Sequence, residues 1–259
     1  MASAHTVLER LFPHSTALFL DFDGTLAPIV AHPDDAKVDP EVVAVLAALQ
    51  SALDGAIAII SGRQISSLDG FLAPHVFPAS GVHGYETRTQ GGEITLLSSG
   101  GGELGEIVDR LSELAQDHEG LLVERKPASV ALHYRNRPLL ADVCKDRVAE
   151  LVAGRDGLTV VHGKMVVEVK GHSGDKGSAI QSFLTHPPFA RRTPVFLGDD
   201  VTDEAGFAAT NALGGISVKV GGGATAARYR LKDPGDVFRW LQEFRDHIGR
   251  ESDTGDVRT

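Results

Sequence analysis

Short apolar runs that stop abruptly at polar residues constrain this chain more than any other feature. The run ALFL at 17–20 ends in Asp21-Phe22-Asp23-Gly24-Thr25, and the run TPVFL at 193–197 ends in Gly198-Asp199-Asp200. Such runs are typical of buried strands, where an unpaired carboxylate would be costly. We therefore expect the acids at the mouths of strands, where a cation or ligand can reach them.

Helical patterns alternate with these runs. The segment DPEVVAVLAALQSAL combines an N-cap, Asp39, with a proline at the first helical position, Pro40. Further strands are predicted at 56–60, 75–80, 193–198 and 214–220, and helices from 175 and over 236–248. This alternation predicts an α/β fold whose core is a Rossmann-like parallel sheet covered by helices on both faces.

The middle of the chain has a different pattern. Residues 85–97 read as a hairpin with its turn at Gly91 and Gly92, and helices are predicted over 103–118 and 138–152. The segments at 121–126, 129–135, 158–163 and 164–170 alternate apolar and polar residues, as half-exposed antiparallel strands do. We predict a discontinuous core domain of residues 1–86 and 171–259, with an inserted α+β cap domain of residues 87–170.

Composition limits the possible partners. The chain has 25 basic and 35 acidic residues, a formal net charge of −10, which disfavours nucleic acid and anionic membranes. Its single cysteine, Cys144, allows no intrachain disulfide, as is typical of a reducing compartment. We recognise no signal peptide, and no apolar run approaches the ~20 residues that are needed to span a membrane. We expect a cytoplasmic monomer.

Polar groups follow four predicted strands, and ligands bind beyond the carboxyl ends of strands in open α/β sheets. These groups are Asp21 to Asp23, Ser61 to Arg63, Gly81 to Gly84, and Gly198 to Asp203. Two acidic strand ends brought together would repel each other unless a cation lay between them. All-oxygen ligands favour Mg²⁺ as that cation.

Each of these segments also has a simpler explanation when taken alone. Asp21 to Thr25 could form an acidic turn or cap, and the acids from Asp199 to Asp203 could favour a helix N-terminus through the macrodipole. Lys176 could be a solvated lysine at a helix start. Their joint occurrence at strand ends makes coincidence a poor account and favours a shared site.

The segment DFDGT at 21–25 resembles the first motif of the haloacid dehalogenase-like phosphatases. Ser61 resembles the hydroxyl of their second motif, Lys176 the lysine of the third, and Gly198-Asp199 with Asp203 the fourth. The four motifs occur in order over nearly the whole chain. The resemblance implies a core of the haloacid dehalogenase type and hydrolysis through an aspartyl-phosphate intermediate.

The resemblance also implies a role for each motif residue. Asp21 would be the nucleophile, Asp23 the general acid and base, and Lys176 the catalytic counter-charge. The implied Mg²⁺ ligands are Asp21, Asp23, Asp199 and Asp203, the last either ligating the ion or orienting its surroundings. The implied phosphate-binding residues are Gly24, Thr25, Ser61, Gly62 and Lys176.

The inserted segment points to the substrate. In VERKPASVALHYR, Glu124 and Lys126 are two apart and share a strand face, as Lys164, Glu168 and Lys170 do in KMVVEVK. Such side chains supply donors and acceptors for sugar hydroxyls, although a solvated face of mixed charge is the ordinary explanation. With SGR and GVHG, these segments resemble the trehalose-6-phosphate phosphatase family. By that resemblance Glu124, Lys126 and Glu168 would bind the distal glucose; Arg63, His83 and Arg135 would lie nearer the phosphorylated ring or steer the cap.

The predicted function is therefore Mg²⁺-dependent hydrolysis of a small-molecule sugar phosphate, trehalose 6-phosphate, in the last step of trehalose biosynthesis. The first alternative is a phosphatase of the same mechanism acting on sucrose phosphate or glucosylglycerol phosphate. A phosphotransferase or mutase would share the nucleophile. A non-enzymatic sugar-phosphate sensor would have no use for Asp21, and response-regulator receiver domains need only about half this length and no inserted cap.

Overall fold

The computed structural model describes residues 2–30, 32, 35–90, 92–96, 101–126, 128–155, 157–171 and 174–255. The chain forms two compact units. The first consists of Met1–Thr95 and Gly174–Thr259, and the second, Leu96–Ser173, is inserted between those two segments of chain. The predicted domain boundaries, 86/87 and 170/171, lie nine and three residues before these, respectively.

The strands, in chain order, are β1 Ala2–Ser3, β2 Thr16–Leu20, β3 Ile57–Ile60, β4 Ala79–Gly81, β5 Glu86–Arg88, β6 Ile94–Leu96, β7 Leu122–Lys126, β8 Ser129–His133, β9 Leu158–Gly163, β10 Val166–Gly171, β11 Thr193–Gly198, β12 Ile216–Val220 and β13 Tyr229–Leu231. The α-helices are α1 Pro40–Ala52, α2 Ile65–Leu72, α3 Gly101–Asp117, α4 Ala141–Val152, α5 Lys176–Phe183, α6 Glu204–Ala212 and α7 Pro234–Gly255.

The first unit is built on a largely parallel sheet. Within the described residues its order is β1-β13-β12-β11-β2-β3-β4-β5-β6. In this order, each of the seven strands that run from β1 through β13 and β2 to β4 is parallel to its neighbour in that series, whereas β4 and β5 are antiparallel. The strand β2 is central and lies between β11 and β3, so that the carboxyl ends of these three strands meet at one edge. The predicted α/β fold with a parallel-sheet core is confirmed.

The core of this unit explains why β2 is an apolar run. All five of its residues are buried, and Phe19 packs against Phe183 and Phe189 with ring centroids 6.0 and 5.5 Å apart. At the start of α1 the side chain of Asp39 accepts the N–H of Glu41, as the predicted N-cap requires. Because β2 is a central strand buried on both faces, polar residues follow only where the strand ends.

The second unit is an antiparallel sheet in the order β7-β8-β10-β9. Helices α3 and α4 cover one face, where the inward residues form a separate core. This core includes Ile107, Leu111, Val130, Leu132, Cys144, Val148, Val167 and Val169. Burial raises the pKa of the Cys144 thiol, which suits the inert packing role expected of a lone buried cysteine.

Several element boundaries differ from the predicted ones. The strand expected over 75–80 is the shorter β4, and the helix expected from 138 starts as a 3₁₀ turn, Pro138–Leu140, before α4. Lys164 and Met165 lie in the turn before β10, with Met165 at φ +62°, so Lys164 does not belong to the strand face on which it was predicted. Among the described residues, no helix has both the length and the apolar character that crossing a membrane requires.

Candidate active site

Lys176 joins two carboxylates at the carboxyl edge of the parallel sheet. Its Nζ donates to Oδ1 of Asp21 at 2.6 Å and to Oδ1 of Asp203 at 2.5 Å, and all three side chains are buried. Lys176 is the first residue of α5, whose N-cap Asp175 accepts the N–H of Ser178. The helix start thus fixes the lysine, and burial makes its two ion pairs depend on each other.

Two glycines leave room for the carboxylates of the acidic loops, Gly24 between the two loops and Gly198 within the loop after β11. Gly24 has φ +75°, and a Cβ there would lie 2.0 Å from Oδ2 of Asp199. At Gly198 a Cβ would lie 2.4 Å from Cγ of Asp203. Any larger residue at either position would displace a carboxylate, so the glycines of the two motifs are required by this packing.

Asp203 is fully buried and holds the loop after β11. Its Oδ2 accepts the N–H groups of Asp199 and Asp200 at 2.9 and 2.8 Å, while its Oδ1 accepts from Lys176. Oxygens of Asp21, Asp199 and Asp203 all lie within 4.8 Å of one another. We call these three residues the carboxylate cluster. Its all-oxygen donor set suits a hard divalent cation such as Mg²⁺.

Burial and mutual repulsion perturb the cluster. Burial, reinforced by the charge of Asp203 and only partly offset by Lys176, raises the pKa of Asp21 to about 8. Burial and the charge of Asp203 also raise the pKa of Asp199. Burial alone would lower the pKa of Lys176, but its two carboxylate partners outweigh that effect and raise it. The cluster therefore favours binding a proton or a further cation.

Asp23 is bound by Arg63 and not by the cluster. Nε and Nη2 of Arg63 donate to the two carboxylate oxygens at 2.7 and 2.6 Å. The guanidinium lies 5.3 and 5.0 Å from the ring centroids of Phe22 and Phe71. The structure thus groups three of the four predicted metal ligands and turns the carboxylate of Asp23, 43% exposed, towards Arg63.

Three of the five predicted phosphate-binding residues, Ser61, Gly62 and Lys176, line a cavity of about 530 Å³ in the first unit. Its lining includes Asp21, Asp23, Ser61, Gly62, Lys176 and Asp199. Ser61 Oγ accepts the N–H of Arg63 at 3.2 Å. The N–H of Gly24 donates to the Ala27 carbonyl within its own turn, and Thr25 Oγ1 makes a long 3.4 Å contact with Asp21. Ser61 and Gly62 are therefore better placed for an anion than Gly24 or Thr25.

Helices α3 and α4 cover only one face of the sheet in the second unit. The opposite face carries a connected set of polar residues, which we call the polar face: Glu124, Lys126, Ser129, His133 and Glu168. Its geometry follows from strand register, because Ala131 lies opposite both Glu124 and Glu168. Ala131 itself is buried, and the two glutamates flank it from the strands on either side.

Hydrogen bonds connect the polar face. Glu168 Oε1 accepts from Ser129 Oγ at 2.6 Å and from Lys126 Nζ at 3.3 Å, and Lys126 lies 4.0 Å from Glu124. Burial would raise the pKa of Glu168, but these bonds and the nearby lysines outweigh it and lower the pKa. His133 Nε2 lies 2.9 Å from Glu124 Oε2. The structure therefore brings Glu124, Lys126 and Glu168 together, and their role in binding a sugar stays a prediction.

The remaining two predicted substrate residues are placed differently. Arg135 is exposed beyond the end of β8 and lines a smaller cavity of about 240 Å³ with His133 and Asn136. This cavity adjoins the polar face through His133. The side chain of His83 lies outside the described residues, so its predicted role stays a prediction.

Comparison with known proteins connects this geometry with a family. The model of the trehalose-phosphatase family matches residues 19–235, which include the cluster, Lys176 and the polar face. The chain belongs to the trehalose-phosphatase family. Membership makes it a phosphoric monoester hydrolase, and the resemblance seen in its motifs is confirmed.

Individual members of the trehalose-phosphatase family are similar over most of the chain. Trehalose-6-phosphate phosphatase of Escherichia coli strain K12 is 42% identical over 226 residues, 87% of this chain and 85% of the relative. A probable trehalose-phosphate phosphatase of Sinorhizobium fredii is 39% identical over 214 residues, 79% and 77% of the two chains. The structure of Aspergillus fumigatus trehalose-6-phosphate phosphatase superposes with a TM-score of 0.69 at 28% identity, covering 95% of this chain and 99% of that one.

Sequence reasoning missed one charged residue at this trehalose-phosphatase site. Lys219, in β12, is only 6% exposed, and its Nζ donates to the main-chain carbonyl of Asp199. The signal was present in the sequence, since ISVKV is an apolar strand with a single charged residue. A buried lysine in a strand needs a partner, and a partner at the acidic loop could have been expected.

Proposed function

We propose that this chain is an Mg²⁺-dependent phosphatase that hydrolyses trehalose 6-phosphate to trehalose and inorganic phosphate through an aspartyl-phosphate on Asp21. The observation that carries the proposal is the buried bridge of Lys176 between Asp21 and Asp203 beside Asp199. The names of the bacterial relatives support this substrate. The reaction would complete trehalose biosynthesis.

The carboxylate cluster would hold the metal ion. Asp21 and Asp199 would be its side-chain ligands, while Asp203, whose oxygens already accept three hydrogen bonds, would orient the loop and Lys176. Bound Mg²⁺ would supply positive charge that stabilises the phosphoryl oxygens. The raised pKa values of Asp21 and Asp199 support a cation at this position.

In the first step a carboxylate oxygen of Asp21 attacks phosphorus, and the bond from phosphorus to the sugar oxygen breaks. Asp23 donates its proton to that leaving oxygen. Lys176 offsets the negative charge of Asp21 and of the incoming phosphate. Ser61 and the N–H of Gly62, at the cavity wall, would bind phosphoryl oxygens.

In the second step Asp23, now a carboxylate, takes a proton from water as the water oxygen attacks phosphorus. The bond between phosphorus and Asp21 breaks, which releases inorganic phosphate and restores the Asp21 carboxylate. Arg63 holds both oxygens of Asp23 as a carboxylate, the form that takes the proton from water, and one of these two bonds would open when Asp23 carries the proton that it donates in the first step. Arg63 would then lie beside the leaving oxygen, which supports its proposed role near the phosphorylated ring.

Recognition of the sugar is assigned to the polar face. Glu124 and Glu168 would accept hydrogen bonds from sugar hydroxyls, and Lys126 would donate to them. The lowered pKa of Glu168 keeps that group an acceptor at neutral pH. Arg135 and His83 are proposed to contact the phosphorylated end of the substrate.

Phosphate release tests this function. Wild-type protein with Mg²⁺ would be assayed on trehalose 6-phosphate, sucrose phosphate, glucosylglycerol phosphate and p-nitrophenyl phosphate, with Asp21→Asn as the control. We expect the largest kcat/KM for trehalose 6-phosphate. Equal or better turnover of another sugar phosphate would refute the substrate, and a phosphorylated sugar product in place of free phosphate would indicate a phosphotransferase.

A further inference from the structure

Lys219 is a buried cation that the reaction described above does not use. It lies in β12, directly opposite Gly198 of β11, the residue that precedes Asp199. Apart from Ser217, its neighbours in the strand are apolar, and all five residues of β12 are buried. Burying an ammonium group is costly unless it is fully paired, so its contact with the acidic loop requires an explanation.

The contact is with the main chain of Asp199 and not with its carboxylate. Nζ of Lys219 donates to the Asp199 carbonyl oxygen, while the Asp199 N–H donates to Oδ2 of Asp203 at 2.9 Å. Charged side chains therefore hold this residue on both sides of its Cα. Hydrogen bonds to charged partners are roughly twice as strong as neutral ones.

This main-chain clamp limits where the carboxylate of Asp199 can lie. Its Oδ2 already packs against Gly24, where a Cβ would lie 2.0 Å away. With the carbonyl and the N–H both held, the Cα–Cβ bond of Asp199 keeps its direction, and the packing against Gly24 limits rotation of the carboxylate. The position of the Asp199 carboxylate within the carboxylate cluster would then depend on Lys219 as much as on Asp203.

We propose that Lys219 is a positioning residue for Asp199, and that it raises the affinity of the carboxylate cluster for a divalent cation by fixing the main chain of that ligand. The inference rests on the metal site of the proposed function. It makes a prediction opposite to simple electrostatics, because a lysine that acted only through its charge would repel the cation and weaken its binding.

The test is Mg²⁺ binding by calorimetry to wild type, Lys219→Met and Lys219→Gln, with the exposed Lys232→Met as a matched loss of one positive charge elsewhere. Positioning predicts binding at least about tenfold weaker in both Lys219 variants, the cost of one hydrogen bond to a charged group, and within about twofold of wild type for Lys232→Met. At saturating Mg²⁺ the kcat of the Lys219 variants should return to within about threefold of wild type.

A second readout needs no metal. In metal-free protein, amide hydrogen exchange at Asp199 and Asp200 should be at least about tenfold faster in Lys219→Gln than in wild type, because the clamped loop opens more often. Circular dichroism would establish that each variant folds. If Lys219→Met does not fold, Lys219→Gln still allows the test. Unchanged or tighter Mg²⁺ binding with unchanged exchange would overturn the inference. Failure of the wild type itself to bind Mg²⁺ would instead overturn the proposed metal site on which it rests.

Discussion

Substitution of Gly24 by alanine tests the packing of the two acidic loops. A Cβ at this position would lie 2.0 Å from Oδ2 of Asp199, and real Cβ atoms essentially never approach a heavy atom closer than 3.0 Å. The carboxylate must therefore move by at least 3.0 − 2.0 = 1.0 Å. Mg²⁺ tolerates ligand distances only near ~2.0–2.1 Å, so a shift of this size removes Asp199 as a ligand.

The expected loss is at least about 100-fold in kcat/KM for trehalose 6-phosphate, the usual cost of a displacement of about 1 Å at a catalytic centre. Alanine at φ +75° also carries backbone strain of roughly 1–2 kcal/mol, which lowers stability whatever its surroundings. The two effects must be separated before the loss of activity can be assigned to Asp199.

Gly214→Ala separates them. Gly214 has φ +73°, nearly the value at Gly24, but a Cβ there would meet nothing within 4 Å. Both variants should lose thermal stability, measured by calorimetry of the metal-free proteins, with Gly24→Ala losing at least as much as Gly214→Ala, while only Gly24→Ala should lose activity and Mg²⁺ affinity. Activity of Gly24→Ala within about threefold of wild type would refute the close approach of Asp199 to this turn.

The other predictions concern the nucleophile, the sugar and pH. Asp21→Asn should lower kcat by at least ~10⁴-fold in phosphate-release assays while circular dichroism stays that of wild type; substantial residual turnover would exclude Asp21 as nucleophile. Glu124→Ala and Lys126→Ala should each lower kcat/KM for trehalose 6-phosphate by roughly 10–150-fold but that for p-nitrophenyl phosphate by less than about threefold, with Lys164→Ala as a control in the neighbouring turn; equal losses on both substrates would remove the polar face from sugar recognition. Burial raises the pKa of Asp21 from 3.8 to about 8, so the stability that its protonated form contributes is lost as pH rises through that range. The Tm of metal-free protein should therefore fall from pH 6 to 8, less steeply in Asp21→Asn, and Mg²⁺ should raise Tm more at pH 8 than at pH 6; a larger Mg²⁺ effect at pH 6 would contradict the assignment.

The parallel sheet and the cluster at its edge could be predicted because both follow from local patterns. The run at 17–20 is apolar throughout, as a strand buried on both faces must be, and the acids of β2 and β11 follow their strands directly. Once β2 and β11 are neighbours, the positions of Asp21 and Asp199 at one edge follow from strand direction alone. Sequence spacing likewise placed Glu124 and Lys126 on one face of their strand, because side chains alternate along a strand; that Glu168 shares this face depends on the register of β7 and β10 against β8.

What could not be predicted depends on contacts between distant parts of the chain. The pairing of Arg63 with Asp23 depends on a loop conformation that leaves the guanidinium beside Phe22 and Phe71. Predicting the contact of Lys219 with the Asp199 carbonyl required the register of β12 against β11. Lys164 was misplaced because alternation was extended into a turn where Met165 has positive φ. The strands β1 and β13 are too short, two and three residues, to leave a recognisable pattern.

Chemical trapping of the phosphoryl group on Asp21 is the decisive test of the proposed mechanism. Enzyme in excess over trehalose 6-phosphate would be quenched with acid within milliseconds, reduced with borohydride, and mapped by mass spectrometry. An acyl phosphate on Asp21 is reduced to homoserine, so we expect homoserine at position 21 in a substrate-dependent amount, with none in Asp21→Asn. Homoserine at another acidic position, with Asp21 unmodified, would exclude Asp21 as the nucleophile.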